Sequence, residues 1–83
     1  MLTDYINAAM QQAQYEILED GTYYGEIPPC PGVWFGSANL KDCEKGLQEV
    51  LEDWLLVGFK MNHEIPIIDG IDLNVPVEVE DVA

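Results

Sequence analysis

Few side chains in this 83-residue chain are suited to catalysis or to metal binding. His63 is the single histidine, so a histidine-rich metal cluster is excluded, and a nucleophile with its base would depend on this one imidazole. Cys30 and Cys43 do not form a C-x-x-C motif, and no basic residue adjoins Cys30 to activate its thiol. We expect a surface histidine, reduced thiols, a core Cys43, and a Cys30 that its turn can leave exposed.

Carboxylates are abundant, and Glu49, Glu52 and Asp53 lie within one helical turn, where they could hold a hard cation such as magnesium. The segment lacks the glycine-centred loop of an EF-hand, and neighbouring acids are frequent in a chain that has 16 of them. We therefore expect a solvated acidic helix face, no metal, no cofactor and no catalytic residue.

Four aromatic residues on adjacent predicted strands, Tyr23, Tyr24, Trp34 and Phe35, could stack on unpaired bases if they lined a positive groove. The chain has 16 acidic residues against 3 lysines and no arginine, which gives a net charge of -13. The electrostatic field of a chain with this charge repels polyphosphates and attracts cationic proteins. Arginine, the usual bidentate donor to phosphate, is absent. The composition predicts a basic protein partner and no direct binding of nucleic acid.

Length and composition predict a single domain. A chain of 83 residues builds one compact core that buries about 60% of the unfolded surface, which favours assembly into oligomers. Apolar residues make up 48% of the chain, so it is expected to fold. There is no run of about 18 apolar residues and no basic leader before Asp4, so we expect no membrane span and a cytoplasmic protein.

Hydrophobic spacing and turn residues predict the elements of the first half of the chain. Apolar residues three and four positions apart predict a helix over residues 1–13, and they are Leu2, Tyr5, Ile6, Ala9 and Met10. After this helix, apolar and polar residues alternate at every second position, which predicts a hairpin of strands 15–19 and 22–27 around an Asp-Gly turn. The proline-rich run 28–32 then interrupts the sheet before a third strand over 33–36.

A long helix is predicted to begin at Asn39, because this N-cap residue is followed three positions later by Asp42. Its apolar stripe is predicted to consist of Leu40, Cys43, Leu47, Val50, Leu51, Trp54 and Leu55. Gly58 is the predicted C-cap, and the prolines of the last extended segment, 65–77, indicate an edge strand there.

The order α-β-β-β-α-β predicts an α+β fold of two layers, in which one long helix packs on an antiparallel sheet of three to four strands. The single domain over residues 1–83 would comprise an N-terminal helix (1–13), a core (14–77) and a flexible acidic tail (78–83).

Strand alternation predicts that Glu16, Leu18, Tyr24 and Glu26 share the sheet face away from the long helix. This mixture of apolar and acidic side chains is typical of a contact surface. It is equally compatible with an ordinary solvated sheet face.

The run Asp20 to Val33, D-G-T-Y-Y-G-E-I-P-P-C-P-G-V, resembles the D-G-x-Y-x-A-E-I-P-x-x-P-G-V core of HicB-family antitoxins. Residues 39–43 resemble that family's T-L-E-E-A/C helix entry, residues 51–55 resemble its helix body, and Ile65-Pro66 resembles the start of its last strand. The resemblance spans residues 15–73, and the order and spacing of these motifs are more specific than any one of them.

The resemblance implies a partial ribonuclease H-like domain that neutralises a HicA toxin, a small basic protein that cleaves messenger RNA. An acidic surface could cover the toxin's RNA-binding and catalytic face without any catalysis by this chain. The predicted contact residues lie on the open sheet face and beside it, with three helix acids as steering charges, and they are Glu16, Tyr24, Glu26, Trp34, Glu49, Glu52 and Asp53.

The chain departs from the HicB pattern at both ends. Many HicB proteins continue into a DNA-binding ribbon-helix-helix or helix-turn-helix module, whereas this sequence stops at Ala83, so we expect no direct binding of operator DNA. It also carries an extra N-terminal helix. We expect a homodimer or tetramer that forms through an exposed sheet edge and through Tyr5, Ile6 and Met10 of this helix.

Two alternatives remain open. The implied fold also belongs to metal-dependent nucleases, which would bring strand-borne carboxylates together on magnesium, and Glu16 and Glu26 are the plausible pair. The other alternative is an oligomeric scaffold that has no toxin.

Overall fold

The computed structural model describes residues 1–74 and arranges them as an α+β fold, as predicted. The elements are α1 (Leu2–Gln11), β1 (Gln14–Ile17), β2 (Tyr23–Glu26), β3 (Trp34–Ser37) and α2 (Leu40–Lys60). The strands form one antiparallel sheet in the order β1-β2-β3. Helix α2 packs on one face of this sheet, and α1 packs against α2. Within the described residues, no helix has the length and apolar character needed to cross a membrane.

The predicted hairpin of β1 and β2 is confirmed, and its strands are shorter than the sequence pattern indicates. The Leu18 amide donates to the Thr22 carbonyl at 2.8 Å, which closes the turn. The Asp20 carboxylate accepts from the Thr22 hydroxyl at 2.6 Å and from its amide at 3.0 Å, and these bonds lower the pKa of Asp20. Gly21 has a φ of +86°, a conformation that L side chains rarely adopt.

The proline-rich run folds back on itself and buries Cys30, so this turn does not leave the thiol exposed, as the sequence had allowed. The Cys30 amide donates to the Ile27 carbonyl at 2.9 Å, and the Val33 amide donates to the Cys30 carbonyl at 3.1 Å. These bonds turn Cys30 into the hydrophobic core, where it is 1% exposed. Burial raises the pKa of its thiol.

The predicted N-cap of α2 is present. The Asn39 side-chain oxygen accepts from the Asp42 amide at 2.8 Å, and its side-chain nitrogen donates to the Asp42 carboxylate at 3.0 Å. The first bond satisfies an amide of the first helical turn that has no partner within the helix.

Replacement of this cap is expected to weaken the domain. We expect Asn39→Ala to lower the free energy of unfolding by about 1 kcal/mol, because the Asp42 amide loses its acceptor. Asn39→Ser keeps an acceptor and should remain close to the parent protein in urea denaturation followed by circular dichroism. Equal stability of the alanine and serine variants would contradict the role of this bond.

The C-terminus of α2 differs from the prediction, because the helix continues past Gly58 to Lys60. Asn62 has a φ of +57° and supplies the left-handed residue that ends the helix. The His63 amide donates to the Gly58 carbonyl at 2.8 Å, and the Asn62 amide donates to the Phe59 carbonyl at 3.2 Å, which is a Schellman motif. Gly58 serves packing instead, since a Cβ there would lie 2.8 Å from Ile65 Cδ1.

The buried stripe of α2 agrees with the prediction at four positions, Cys43, Leu47, Leu51 and Leu55. Val50 and Trp54 are half-buried against this core. Leu40, which the pattern assigns to the stripe, is 41% exposed, because it lies in the first turn of α2, shortly after the end of β3. Gly46, which the pattern leaves out, is buried against the ring of Phe35.

The edge strand predicted within the last extended segment, 65–77, is not formed in the described part of that segment, 65–74. Ile68 and Ile71 form an isolated bridge around a turn at Asp69 and Gly70. The Asn74 side chain accepts from the Ile65 amide at 2.7 Å and donates to the Ile65 carbonyl at 2.9 Å. These bonds occupy the backbone groups that a neighbouring strand would need. Residues 75–77 and the predicted tail 78–83 lie outside the described residues.

Candidate protein-binding face

The sheet has one face against α2 and one open face. Gly25, at the centre of β2, faces α2, since a Cβ there would lie 2.8 Å from the ring of Tyr15 and 3.3 Å from Cys43 Sγ. Its neighbours Tyr24 and Glu26 therefore face away from α2, because successive side chains of a strand point to opposite faces.

Strand register brings four of the predicted contact residues together on the open face. Glu16 of β1 is paired with Tyr24 of β2, and Glu26 of β2 is paired with Trp34 of β3. The two pairs occupy neighbouring rows of the same face. Leu18, which the alternation assigns to this face, lies beyond the end of β1, in the turn.

The two aromatic rings stack and leave a large apolar surface open. The ring centroids of Tyr24 and Trp34 are 6.1 Å apart, with 28° between the ring planes. The Tyr24 hydroxyl donates to Glu26 Oε1 at 3.2 Å, which fixes the phenol beside the carboxylate. Trp34 is 57% exposed. A shallow depression of about 360 Å³ adjoins the pair and continues over Pro31 and Gly32. We name Glu16, Tyr24, Glu26 and Trp34 the aromatic–acidic face.

The electrostatics of this face are anionic. Desolvation raises the pKa of the Tyr24 hydroxyl, and its hydrogen bond to Glu26 and the charges of Glu26 and Glu16 raise it further. The phenol therefore remains neutral and keeps its proton for hydrogen bonding. All three lysines of the chain, Lys41, Lys45 and Lys60, belong to α2 on the other layer. The aromatic–acidic face thus combines stacking surface with negative charge.

The three predicted steering acids do not join this face. Glu49, Glu52 and Asp53 are exposed on α2, which packs on the opposite side of the sheet. Glu52 accepts from the side-chain amide of Gln48 at 3.1 Å, one helical turn away. These acids can contribute to the long-range field of the molecule, while direct contact with a ligand on the aromatic–acidic face requires other residues.

Of the three oligomerisation residues expected in α1, the structure corrects one, Tyr5. Self-association through Ile6 and Met10 stays a prediction. Tyr5 is 0% exposed, and its hydroxyl donates to the Pro66 carbonyl at 2.6 Å. It cannot contact a second molecule, because both its ring and its hydroxyl are occupied within the domain. Ile6 and Met10 are half-buried and pack against the core. The N-terminal helix is part of the fold.

A second surface was missed by the sequence patterns. Leu2, Ile6, Leu56 and Phe59 line an apolar groove of about 410 Å³ between α1 and α2, with Glu52 and Asp53 at its border. The available signal was the presence of Leu56 and Phe59 on the polar side of an otherwise amphipathic helix.

The remaining candidates for chemistry are dispersed. His63 is exposed just after α2, as predicted, and Cys43 is buried with its thiol donating to the Phe35 carbonyl at 3.4 Å. Burial raises the pKa of the Cys43 thiol. Among residues 1–74, no three histidine, cysteine, aspartate or glutamate side chains are grouped as metal ligands.

Comparison with known proteins decides the family. The UPF0150-like sequence family matches residues 4–66, which is most of the chain. The chain belongs to the UPF0150-like family. This UPF0150-like protein is similar to TTHA0281 from Thermus thermophilus, whose crystal structure superposes with a TM-score of 0.84. The two sequences are 43% identical, and the similarity covers 90% of this chain and 94% of that chain. No functionally curated protein matches this UPF0150-like chain.

Proposed function

We propose that this UPF0150-like protein is a HicB-like antitoxin module, which neutralises a basic HicA-type toxin by covering the toxin's RNA-binding and catalytic face. The observation that carries the proposal is the aromatic–acidic face, where Tyr24 and Trp34 stack beside two carboxylates. Occlusion requires no catalytic residue, cofactor or metal in this chain. We therefore also propose a cytoplasmic location, because the toxin's messenger RNA substrate is found there.

The chemistry of this face suits arginine and lysine side chains of a partner. An exposed indole attracts a cation over its ring, and a carboxylate at the ring edge adds a charge-assisted hydrogen bond. Tyr24 uses its hydroxyl on Glu26 Oε1 and so leaves the second carboxylate oxygen of Glu26 for a ligand. Trp34 and Glu26 are directly paired across the strands, which puts both kinds of interaction within reach of one guanidinium.

The charge of the whole chain supports the same partner. A net charge of -13 on 83 residues speeds encounter with a cationic protein and disfavours encounter with RNA. A toxin that must bind RNA presents a basic surface, so this module and the RNA substrate would compete for that surface. Inhibition then follows from binding alone.

Charge reversal on the aromatic–acidic face tests the proposal. We expect the double variant Glu16→Lys, Glu26→Lys to slow association with a HicA-type toxin at least about 10-fold at low salt, because attraction becomes repulsion. The salt dependence of the association rate should become flatter. Stopped-flow or surface plasmon resonance measurements at several ionic strengths provide both quantities.

The matched control makes the same change in net charge at two acidic residues of α2, on the other side of the sheet. The double variant Glu49→Lys, Asp53→Lys makes an identical change in net charge, and we expect a rate reduction of less than about 3-fold, since only the long-range field changes. Equal reductions of the association rate in the two double variants would show that the aromatic–acidic face is not the binding site. Unchanged association in both variants would contradict electrostatic recognition of the toxin.

The nuclease alternative rests on one feature of the same face. Glu16 and Glu26 occupy neighbouring rows of the sheet, where a pair of carboxylates could share a magnesium ion. A magnesium titration followed by tryptophan fluorescence, together with a nuclease assay on single-stranded RNA, separates the two functions. Tight magnesium binding with cleavage would replace the antitoxin proposal. The scaffold alternative predicts that the protein does not relieve RNA cleavage by any HicA-type toxin.

A further inference from the structure

The groove between α1 and α2 is an apolar surface on the layer opposite to the aromatic–acidic face. Leu2, Ile6, Leu56 and Phe59 line it, and Leu56 is 59% exposed at its outer side. Contiguous exposed apolar residues of this kind mark contact surfaces more often than solvated ones. A folded domain of 83 residues also gains from additional burial, because its own core is small.

We propose that this groove is the interface of a homodimer, in which α2 packs antiparallel against α2 of a second copy across a two-fold axis at Leu56. A two-fold interface brings the same patch of both copies together, so every contact occurs twice. Leu56 would meet Leu56 of the other copy, with Phe59 and Leu2 closing over the contact from each side.

The distribution of charge along α2 selects a second copy as the occupant. Glu52 precedes Leu56 by one helical turn, and Lys60 follows it by one turn, so all three lie on the same side of α2. An axis at Leu56 places residue 52 of one copy opposite residue 60 of the other. Two Glu52–Lys60 ion pairs would therefore flank the apolar contact.

This complementarity matters because the chain is otherwise strongly acidic. Most surfaces of a molecule with a net charge of -13 repel a second copy. Lys60, one of only three lysines, lies one helical turn beyond Leu56, and within residues 1–74 it forms no ion pair. A basic segment from another protein would match Glu52 and Asp53 but would meet the positive charge of Lys60. A second copy matches both signs.

The homodimer is independent of the proposed function and compatible with it. Because the groove and the aromatic–acidic face lie on opposite layers, both aromatic–acidic faces remain open in the dimer. Each would accept its own basic ligand. A substitution in the groove is therefore expected to leave the affinity of a single toxin site unchanged.

The mass of the full chain in solution tests the homodimer. Sedimentation velocity and light scattering should give twice the 9.3 kDa of the chain for the parent protein at micromolar to millimolar concentration. Leu56→Glu places two carboxylates at the axis and should give a monomer, whereas Leu56→Met keeps an apolar contact and should give a dimer. Circular dichroism of each variant verifies that it is folded.

Charge exchange provides the sharper test. Glu52→Lys and Lys60→Glu, made singly, each create two like-charged contacts and should raise the dimer dissociation constant at least about 10-fold. The variant that carries both substitutions should return to within about 3-fold of the parent value, because the pairs re-form with exchanged signs. Glu52→Lys is informative by itself, since it lowers the net negative charge and would tighten any dimer limited by overall repulsion.

Glu16→Lys is the matched control, because it makes the same change of charge on the opposite layer and should leave the dissociation constant of the dimer within about 3-fold of the parent value. A monomeric parent protein, a dimeric Leu56→Glu variant, or a double charge variant no tighter than the two single ones would each overturn the homodimer. Failure of toxin binding in Glu16→Lys with an intact dimer would bear on the proposed function alone.

Discussion

Tyr5→Ala is expected to lower the free energy of unfolding by about 3–5 kcal/mol, in the range of other large aromatic truncations in protein cores. Tyr5 is fully buried and lies in the core beside Cys30. Its hydroxyl also donates to the Pro66 carbonyl across 61 positions of sequence. The substitution therefore leaves a cavity and removes the bond that joins α1 to the segment after α2. Urea denaturation followed by far-ultraviolet circular dichroism measures the loss.

Tyr5→Phe separates the two contributions. It keeps the ring and leaves the Pro66 carbonyl without its donor, so a loss of about 1–3 kcal/mol is expected. Burial, more than the neighbouring Cys30, raises the pKa of the Tyr5 hydroxyl, so the group remains a neutral donor across the physiological range. A loss below about 1 kcal/mol for Tyr5→Ala would mean that α1 is peripheral to the fold.

Gly46→Val is expected to destabilise the domain by about 3 kcal/mol, because a Cβ at this position overlaps the ring of Phe35. Gly46 lies on the buried side of α2, where the helix packs on β3. A β-branched side chain must displace either the ring or the helix. The small rise in helix propensity on replacement of glycine does not offset that strain. Thermal and urea denaturation report the loss directly.

A second substitution identifies Phe35 as the cause. Phe35→Leu provides room for the valine, so the double variant should be more stable than the sum of the single effects by about 1–2 kcal/mol. Gly36→Val is the control in the same strand, since the nearest atom to a Cβ there is the Tyr23 carbonyl oxygen at an ordinary 3.6 Å. Additive effects of Gly46→Val and Phe35→Leu, or an equal loss in Gly36→Val, would contradict this packing.

The contact between Phe35 and Gly46 also orients the aromatic–acidic face. It holds β3 against α2 with the Phe35 ring inward, so the preceding residue of the strand, Trp34, is directed to the open face. Similarity to TTHA0281 over 90% of the chain indicates that this arrangement of helices and sheet is shared with the protein from Thermus thermophilus. The proposed recognition by the open face and the proposed association through the groove would then use opposite layers of one unit.

The sequence by itself determined the features that depend on neighbouring residues. Period two along β1 and β2 places Glu16, Tyr24 and Glu26 on one face, since alternation is a property of the extended backbone. Asn39 caps α2 because its partner amide is three residues away. The negative net charge of the chain follows directly from a count of its acidic and basic residues.

Only the tertiary structure decided the features that depend on distant residues. The helical spacing of apolar residues is the same for Tyr5, Ile6 and Met10. Tyr5 is buried and the other two are half-buried, because the Tyr5 hydroxyl has a partner in the distant Pro66 carbonyl. The burial of Cys30, the role of Gly58 beside Ile65 and the side-chain bonds of Asn74 to Ile65 likewise arise from packing between separate segments. A local pattern reports which side chains are apolar, whereas their partners are chosen by how the elements pack against one another.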